Sequence, residues 1–354
     1  MTEQPPDDTH TQPLNRRATL ADVAALAGVS LGSASRALSV PEQVKPATLK
    51  KVAQAVAALG YIRNGSAQAL ASRRTRTVAA LYPTLDNPIF AQSTHSMQQT
   101  LWSLGYQLLI ASHEYQIDNE FALLRATVER GVDGLILVGT DHSQEIFSLL
   151  HQRGLPYVLT WSTDDSSYPH CVGISNFDAA RKLAREVIAK GHTRIGLCGG
   201  AIDRNERARG RRLGILAALK EARLKMRKDW IFEAPFSYAG GRQAIQYFWS
   251  RKQRPTAILF GTDLQAIGAL HQCREQGIRV PDDLSIIGFD GIEEAEMMQP
   301  ALTTLRIPAH EIGRRAAHRI VALIEGTPVE PEPPLSEMLL IRESLGQVSS
   351  TNQR

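Results

Sequence analysis

ATLADVAALAGVSLGSASRALS, residues 18–39, has the pattern of two short helices separated by a glycine. Thr19 and Asp22 have the spacing of a capping box, which predicts the start of the first helix. Gly28 suits the position just after a helix, and Ser30 suits the N-cap of a second helix over Leu31 to Leu38. Two helices joined by so tight a turn are typical of a helix-turn-helix unit.

A third helix is predicted from about Pro46 to Leu59, because apolar residues recur there at helical spacing and Gly60 follows. GVSLG, residues 28–32, also matches the G-x-S-x-G elbow of hydrolases. That motif requires a strand before the serine and a sheet around it, whereas a helix is predicted here. We therefore interpret Ser30 as a helix cap and not as a nucleophile.

The positive charge of the chain is concentrated near its N-terminus. The net charge is +4, yet residues 16–76 hold ten Lys/Arg against Asp22 and Glu42. A basic segment on a near-neutral body is expected for a protein with a polyanionic partner such as nucleic acid. A solvated basic face is the alternative interpretation of this charge.

Several classes of protein find no support in the composition. No apolar run approaches the length of a membrane helix, and the polar first residues lack the apolar region of a secretory signal. The three cysteines lie far apart in or beside apolar segments, which predicts buried thiols. His113, His142 and His271 lack metal-ligand spacing. We expect a cytoplasmic protein with no metal, no cofactor and no membrane contact.

Apolar, β-rich runs alternate with helical stretches from Arg76 onward. The runs are TVAALYP, YQLLIAS, VDGLILVG, LPYVLTW, TRIGLCGG, WIFEAPF, PTAILFGT and LSIIGFD. This alternation predicts doubly wound parallel sheets, and eight runs suggest two similar subdomains with a ligand crevice at the carboxyl ends of their strands. Neither dinucleotide nor phosphate-loop glycine motifs occur, so nucleotide cofactors are not expected.

Residues 19–75 resemble the headpiece and hinge of the LacI (lactose/purine repressor) family. The shared elements are Thr-Leu-x-Asp-Val-Ala, Ala-Gly-Val-Ser, Ser-x-Ala-Leu, Leu-Gly-Tyr and Ala-x-x-Leu, in family order. The resemblance implies that Leu31, Gly32 and Arg36 read bases, and that Arg36 can pair with guanine. Ser33 and Ser35 would hold phosphates, and Thr19 belongs to the same DNA-contacting set.

NGSAQALASRRTRT, residues 64–77, contains the hinge implied by this resemblance. Leu70 has no apolar partner at helical spacing, so the segment would be marginal as an isolated helix. The resemblance implies that it is disordered when free and helical when two copies pair in the minor groove. Paired leucines would then wedge into one base step and kink the DNA. The other hinge residues expected at DNA are Asn64, Ala67, Gln68 and Arg73.

The resemblance continues to about residue 345 through NPIF, GVDGLIL, GHTRIG, RRLGILAAL, VPDDLSIIGFDG and PALTTL. It implies a periplasmic-binding-protein-like core that binds a small effector between its two subdomains. The family positions of the effector site are occupied here by Ile89, Phe90, Thr160, Trp161, Ser175, Arg211, Phe236, Thr262, Asp263 and Asp290.

Residue types at these positions suit a small polar ligand. Phe90, Trp161 and Phe236 can stack on a sugar ring or a base, while Arg211 and Asp290 can bond its polar edge. The alternative is that the aromatics belong to the core and that Arg211 and Asp290 form a structural ion pair. Extra arginines crowd the same segment, and one facing inward would favour an anionic effector such as a sugar acid: Arg204, Arg207, Arg209 and Arg212.

The resulting prediction is a homodimeric transcription regulator that binds double-stranded DNA at a near-palindromic operator, most simply as a repressor. A solute-binding transport component and a sugar-converting enzyme are the alternatives, and the basic headpiece and the absence of catalytic motifs argue against them. The expected organisation is a disordered tail (1–17), a headpiece (18–62), a hinge helix (63–76), a core (77–345; first subdomain 77–174 and 307–330, second 175–306 and 331–345) and a tail (346–354).

Overall fold

A computed structural model describes residues 17–63, 65, 69, 74–163, 170–329, 332, 333 and 335–348. It divides into two units, Met1–Thr75 and Arg76–Arg354. The first unit contains the predicted headpiece, and the second contains the α/β core.

The headpiece has the three predicted helices, α1 (Leu20–Ala27), α2 (Leu31–Ser39) and α3 (Pro46–Leu59), with a 3₁₀ turn at Pro41–Gln43. The predicted caps are confirmed. The Asp22 amide donates to Thr19 Oγ1 at 3.3 Å, and the Thr19 amide donates to the Asp22 carboxylate at 2.8 Å. Gly28 ends α1 with a φ of 63°, a left-handed conformation that is unfavourable for residues with a side chain.

Ser30 is the N-cap of α2, since its Oγ accepts a hydrogen bond from the Ser33 amide at 3.1 Å. The serine is thus committed to a helix terminus inside a helical unit, as predicted. Small side chains form much of the headpiece interior: Val23 and Ala34 are fully buried, and Val52 from α3 packs with them. The small size of side chains such as that of Ala34 lets the short helices approach closely.

The first lobe of the core, residues 77–172 and 309–325, is built on a five-stranded parallel sheet of order β2-β1-β3-β4-β5. Strand β1 is buried on both faces, as expected for a central strand of a parallel sheet covered by helices on each side. The elements are β1 (Thr77–Tyr82), α4 (Pro88–Ser103), β2 (Gln107–Ser112), α5 (Ile117–Glu129), β3 (Gly134–Val138), α6 (Gln144–Arg153), β4 (Tyr157–Thr160) and β5 (Cys171–Val172).

The second lobe, residues 176–306 and 338–345, carries a four-stranded parallel sheet of order β7-β6-β8-β9. Its elements are α7 (Asn176–Ala189), β6 (Ile195–Gly199), α8 (Glu206–Glu221), a 3₁₀ turn (Lys228–Trp230), β7 (Ile231–Glu233), α9 (Tyr238–Trp249), β8 (Ala257–Phe260), α10 (Asp263–Glu275), β9 (Ser285–Ile287) and α11 (Glu294–Met297). All eight predicted apolar runs therefore contain a strand, and the predicted fold class is confirmed.

The chain crosses between the lobes several times. It leaves β5 for α7, returns after β10 (Thr304–Arg306) to α12 (Ala309–Glu325), and crosses again before β11 (Met338–Leu340). Strands β10 and β11 form an antiparallel pair that the sequence pattern did not predict. The cysteines are buried thiols, as predicted. None of the described helices is both long and apolar enough to cross a membrane.

Candidate functional site

The headpiece exposes one side of α2. Leu31 is 54% exposed, and Gly32 and Arg36 are exposed with it. Ala34 and Ala37 are buried on the opposite side and anchor the helix to the rest of the headpiece. Spacing of four residues places Gly32 and Arg36 on one row, so the residues predicted to read bases share one face. Ser33 and Ser35 are partly exposed beside them, and Thr19 is exposed at the start of α1.

The predicted hinge contacts Asn64, Ala67, Gln68, Leu70 and Arg73 lie outside the described residues. Arg63, which precedes them, is described: its Nη1 donates to the Leu38 carbonyl at 3.2 Å. That carbonyl belongs to the last turn of α2, where helix carbonyls lack partners within the helix. Arg63 therefore stabilises the C-terminal end of α2, a role that the sequence pattern did not reveal.

A cavity of about 440 Å³ lies between the two lobes of the core. Six of the predicted effector residues line it: Ile89, Phe90, Trp161, Arg211, Thr262 and Asp290. Five further lining residues were not predicted: Asn87, Tyr115, Asn176, Asn205 and Ile307. Arg207, one of the arginines considered as able to face inward, also lines the cavity. Its mixture of aromatic and polar walls suits a small polar molecule.

An aromatic corner forms one wall of this cavity. The rings of Phe90 and Trp161 meet edge to face with centroids 5.0 Å apart. Trp161 has a φ of 68°, a left-handed conformation that is costly for a bulky residue. Its amide donates to the Val172 carbonyl at 2.9 Å, and its carbonyl accepts from Asn176 Nδ2 at 2.9 Å. These hydrogen bonds to the amide and the carbonyl of Trp161 thus fix the backbone that carries the indole.

Arg211 and Asp290 face the same cavity without bonding each other in the described part of the chain. Arg211 Nη1 donates to Asn176 Oδ1 at 3.1 Å, its Nε is buried with no partner, and its guanidinium lies over the Phe289 ring at 4.8 Å. Asp290 accepts from Asn87 Nδ2 at 3.1 Å. The alternative of a direct structural ion pair is therefore not what the geometry shows.

Burial raises the pKa of Asp290 to about 8, and the nearby carboxylate of Asp263 adds to the rise. Asp290 is 3% exposed, and its φ of 130° is unusual for a residue with a side chain. The nearby guanidinium of Arg211 opposes this rise, and burial remains the larger effect. Burial therefore favours the protonated, uncharged form of the Asp290 carboxyl.

Asp290→Asn is expected to stabilise the core, and more so at high pH. A carboxyl whose pKa is higher in the folded state costs stability as pH rises from about 4, its unfolded pKa, to about 8. The variant lacks this cost, so its free energy of unfolding should exceed that of the native protein by roughly 2 to 5 kcal/mol at pH 8.5. Urea denaturation followed by tryptophan fluorescence at pH 5 and pH 8.5 measures both. An equal difference at the two pH values would contradict the raised pKa.

Four predicted effector residues lie outside the cavity lining: Thr160, Ser175, Asp263 and Phe236. Thr160 is 1% exposed and donates to the Leu137 carbonyl at 2.9 Å, so its hydroxyl serves the first sheet. Ser175 is the N-cap of α7, where its Oγ accepts from the Asp178 amide at 3.1 Å. Both hydroxyls are used by the neighbouring backbone, which differs from the expectation that they face a ligand.

Asp263 also lies outside the lining and supports the site from behind. It is fully buried and accepts from Thr304 Oγ1 at 2.6 Å and from the Gly291 and Ile292 amides at 2.7 and 2.9 Å. Burial raises its pKa to about 6. These bonds hold the loop that carries Asp290, so Asp263 positions a cavity residue and does not reach the cavity itself.

Phe236 lines a neighbouring, mainly apolar cavity of about 500 Å³ within the second lobe, which Arg211 also borders. Its ring lies 5.5 Å from that of Tyr115, which lines the first cavity. Phe236 therefore separates the two cavities.

One of the extra arginines faces the predicted crevice. Arg207 lines the cavity, and its Nη1 donates to the Val138 carbonyl at 3.0 Å and lies 3.3 Å from Glu206. Arg209 pairs with Asp141 at 2.9 Å, and Arg212 pairs with Glu233 at 3.1 Å. No cluster of three or more metal-ligating side chains occurs within the described residues.

Comparison with known proteins agrees with this architecture. Residues 19–64 match bacterial regulatory proteins of the lacI family, and residues 184–345 match a periplasmic binding protein-like domain. The HTH-type transcriptional repressor PurR of Photorhabdus laumondii is 32% identical over 301 residues, which cover 84% of this chain and 88% of the relative.

Two solved structures share the fold. The lac repressor dimer bound to operator and the anti-inducer ONPF is 25% identical with a TM-score of 0.82, covering 94% of this chain and 100% of that one. The complex of the transcriptional regulator CelR with cellobiose is 30% identical with a TM-score of 0.68, covering 93% of this chain and 100% of that one.

The headpiece and the two-lobed core together define a DNA-binding transcriptional regulator with an effector-binding domain. The chain belongs to the lacI family of bacterial regulatory proteins, whose members are regulators and not enzymes.

Proposed function

We propose that this regulator represses transcription from a near-palindromic operator as a homodimer, and that a sugar acid bound between the lobes controls its affinity for that operator. The observation that carries the effector assignment is Arg211, a cavity-facing guanidinium without an acidic partner among the described residues. The site of action is the cytoplasm, where operator DNA is found.

Binding of DNA is supported by the exposed face of α2. Arg36 can offer two parallel hydrogen bonds to the O6 and N7 atoms of guanine in the major groove. Dimers of helix-turn-helix proteins place two such helices one helical turn apart, so the operator should show two-fold symmetry. The names of similar proteins agree: PurR is called a repressor, and the lac repressor is a dimer on its operator.

The charge of the cavity supports an anionic ligand. Arg207 and Arg211 lie in its wall, and Asp290 is the one carboxyl among the described lining residues. Arg207 is paired with Glu206 and burial favours the uncharged form of Asp290, so Arg211 is the group in this wall that can attract an anion. A carboxylate can accept two bonds from one guanidinium, an arrangement stronger than a neutral hydrogen bond.

The remaining walls suit a hydroxylated carbon skeleton. Asn87, Asn176 and Asn205 provide side-chain amides, which can donate to and accept from hydroxyl groups. Phe90 and Trp161 offer an apolar surface for the C–H face of the skeleton. Hydroxyls, an apolar face and one carboxylate together describe a sugar acid. A neutral sugar is the second candidate, and the cellobiose complex of the similar regulator CelR favours it.

Matched ligand pairs distinguish the two candidates. Isothermal titration at pH 7 should compare glucose with gluconate and glucuronate, and galactose with galactonate and galacturonate. At least one acid is expected to bind, with its neutral partner about 30-fold weaker or more, because a buried charge-assisted pair contributes 2 kcal/mol or more. Binding by neutral sugars alone would overturn the sugar-acid assignment.

The same titration at pH 9 provides a second test. Ionisation of Asp290 above pH 8 places a negative charge beside the bound carboxylate, so the affinity for the acid should fall. The Asp290→Asn variant should show no such fall, since its amide stays neutral. An affinity that falls equally in both proteins would show that another group is responsible.

A further inference from the structure

A second cavity adjoins the one between the lobes. We call it the side compartment; it measures about 360 Å³ and shares Tyr115, Asn205 and Arg207 with the effector cavity. One wall comes from loops of the first lobe, and the other comes from the segment that leads into α8. The two spaces therefore adjoin at the side chains of Tyr115, Asn205 and Arg207.

His113 is the unpartnered group in this compartment. Its Nδ1 is buried with no hydrogen-bond partner among the described residues, and its Nε2 lies 4.0 Å from Glu120 Oε1. Burial lowers the pKa of His113, so the ring is neutral at pH 7. With its proton on Nε2, facing Glu120, the ring presents an acceptor lone pair at Nδ1. Buried polar atoms are rarely left without a partner, which indicates a missing donor.

The loop that carries His113 is held in a costly conformation. Glu114 and Tyr115 both have positive φ, 49° and 57°, although neither is a glycine. The Tyr115 amide donates to the Pro83 carbonyl at 2.8 Å, and the His113 amide donates to the Tyr82 carbonyl at 3.1 Å. Arg204, on the opposite wall, also has a positive φ of 46°. Strain of this kind persists where the surrounding structure enforces it, and it is common at ligand sites.

The three acids of the side compartment already have partners, and Arg204 lies in the same wall. Glu120 accepts from His142 Nδ1 at 2.7 Å, and Asp141 pairs with Arg209 at 2.9 Å. Glu206 lies 3.3 Å from Arg207 and accepts from the Ser162 hydroxyl at 2.7 Å. Because its acids are matched by bases, the compartment has no unpaired carboxylate among its described residues to attract a cation. It offers donors and acceptors side by side, which is the pattern that recognises hydroxyl groups.

We propose that the side compartment is a second subsite of the effector site and binds a hydroxyl-bearing second unit of the effector, one hydroxyl of which donates to His113 Nδ1. The inference rests on the proposed function, in which the first cavity binds the acid-bearing unit. The effector is then a two-unit sugar acid, with its carboxylate at Arg211 and its second unit beside His113. A single sugar acid fills only the first cavity and leaves His113 without its donor.

The test compares gluconate with cellobionate, lactobionate and maltobionate, which all carry a gluconate unit joined to a second sugar. Isothermal titration should use the full-length native protein, His113→Ala and His113→Phe, with the exposed His151→Ala on α6 as the matched control. We expect at least one two-unit acid to bind about 10-fold tighter than gluconate. That gain should be lost in both His113 variants and kept in His151→Ala, while gluconate binds all four proteins alike.

A spectroscopic readout reports on His113 directly. In protein with ¹⁵N-labelled histidine, the Nδ1 signal of His113 should shift when the two-unit acid binds and stay in place when gluconate binds. His113→Ala identifies the signal by its absence.

The other possible results contradict either the second subsite alone or the sugar-acid proposal as well. If gluconate binds and no two-unit acid binds tighter, or if the gain survives both His113 variants, the second subsite is wrong while the sugar-acid proposal stands. If no acid of either size binds, the sugar-acid proposal itself fails and the second subsite fails with it. Loss of folding is excluded by comparing the thermal denaturation of each variant with that of His151→Ala.

Discussion

Arg211→Met is expected to weaken the binding of the acid effector by about 100-fold or more. The guanidinium is the cavity-facing group best placed to pair with a carboxylate, and its Nε has no partner in the described structure. Truncation of one member of a buried, hydrogen-bonded charge pair costs about 2 to 5 kcal/mol. Methionine retains much of the unbranched chain that packs near Phe289, so the core should stay folded. Isothermal titration measures the loss.

Two controls show whether this loss reflects the carboxylate pairing. Arg211→Lys keeps the charge but cannot form two parallel bonds, so it should recover only part of the affinity. Arg212→Met removes the next arginine on α8, which pairs with Glu233 at 3.1 Å, and should leave effector binding unchanged. Equal losses from Arg211→Met and Arg212→Met would show that general positive charge, and not the geometry of Arg211, attracts the ligand.

Arg36→Ala is expected to remove most of the preference for the operator over random DNA. One arginine–guanine pair contributes about 1 to 3 kcal/mol of discrimination, and a dimer presents two. The specific affinity should therefore fall by about 30-fold or more, while affinity for a scrambled duplex falls much less. Alanine favours helix, so α2 itself should persist. Fluorescence anisotropy with labelled duplexes at fixed salt measures both affinities.

Lys51→Ala is the matched control for that experiment. Lys51 is exposed on α3. Its replacement by alanine removes one positive charge, as Arg36→Ala does, without altering the exposed face of α2. It should change the affinities for operator and scrambled DNA by similar small factors, because a lost phosphate contact carries no sequence information. If Arg36→Ala behaves in the same way as Lys51→Ala, then Arg36 contacts phosphate and does not read a base.

Local patterns in the sequence predicted the fold well, because those patterns act over a few residues. The capping box of Thr19 and Asp22, the glycine after α1 and the eight apolar runs each express a local preference that the fold retains. The β10–β11 pair was missed because each strand is three residues long and is fixed by a partner far along the chain. No periodicity can develop over three residues.

The site was predicted less completely, for a different reason. Ser175 and Asp178 also have the spacing of a capping motif, and Ser175 does cap α7. That signal was available in the sequence and competes with a ligand role, since the hydroxyl cannot easily serve both. Tyr115 gave no comparable signal, and the crowding of arginines did not show that Arg207 is the one that faces inward. Tyr115 reaches the cavity from a loop with unusual backbone angles, and Arg207 reaches it because the other lobe lies close by.

If a bound effector controls operator binding, the affinity of the protein for each ligand must depend on whether the other ligand is bound. Effector affinity should be measured by titration for the free native protein and for the protein saturated with operator duplex. Operator affinity should be measured with and without saturating effector. Thermodynamic coupling requires both affinities to change by the same factor, which is about 5- to 150-fold in typical cases. An effector that binds tightly between the lobes while operator affinity stays the same would contradict the account.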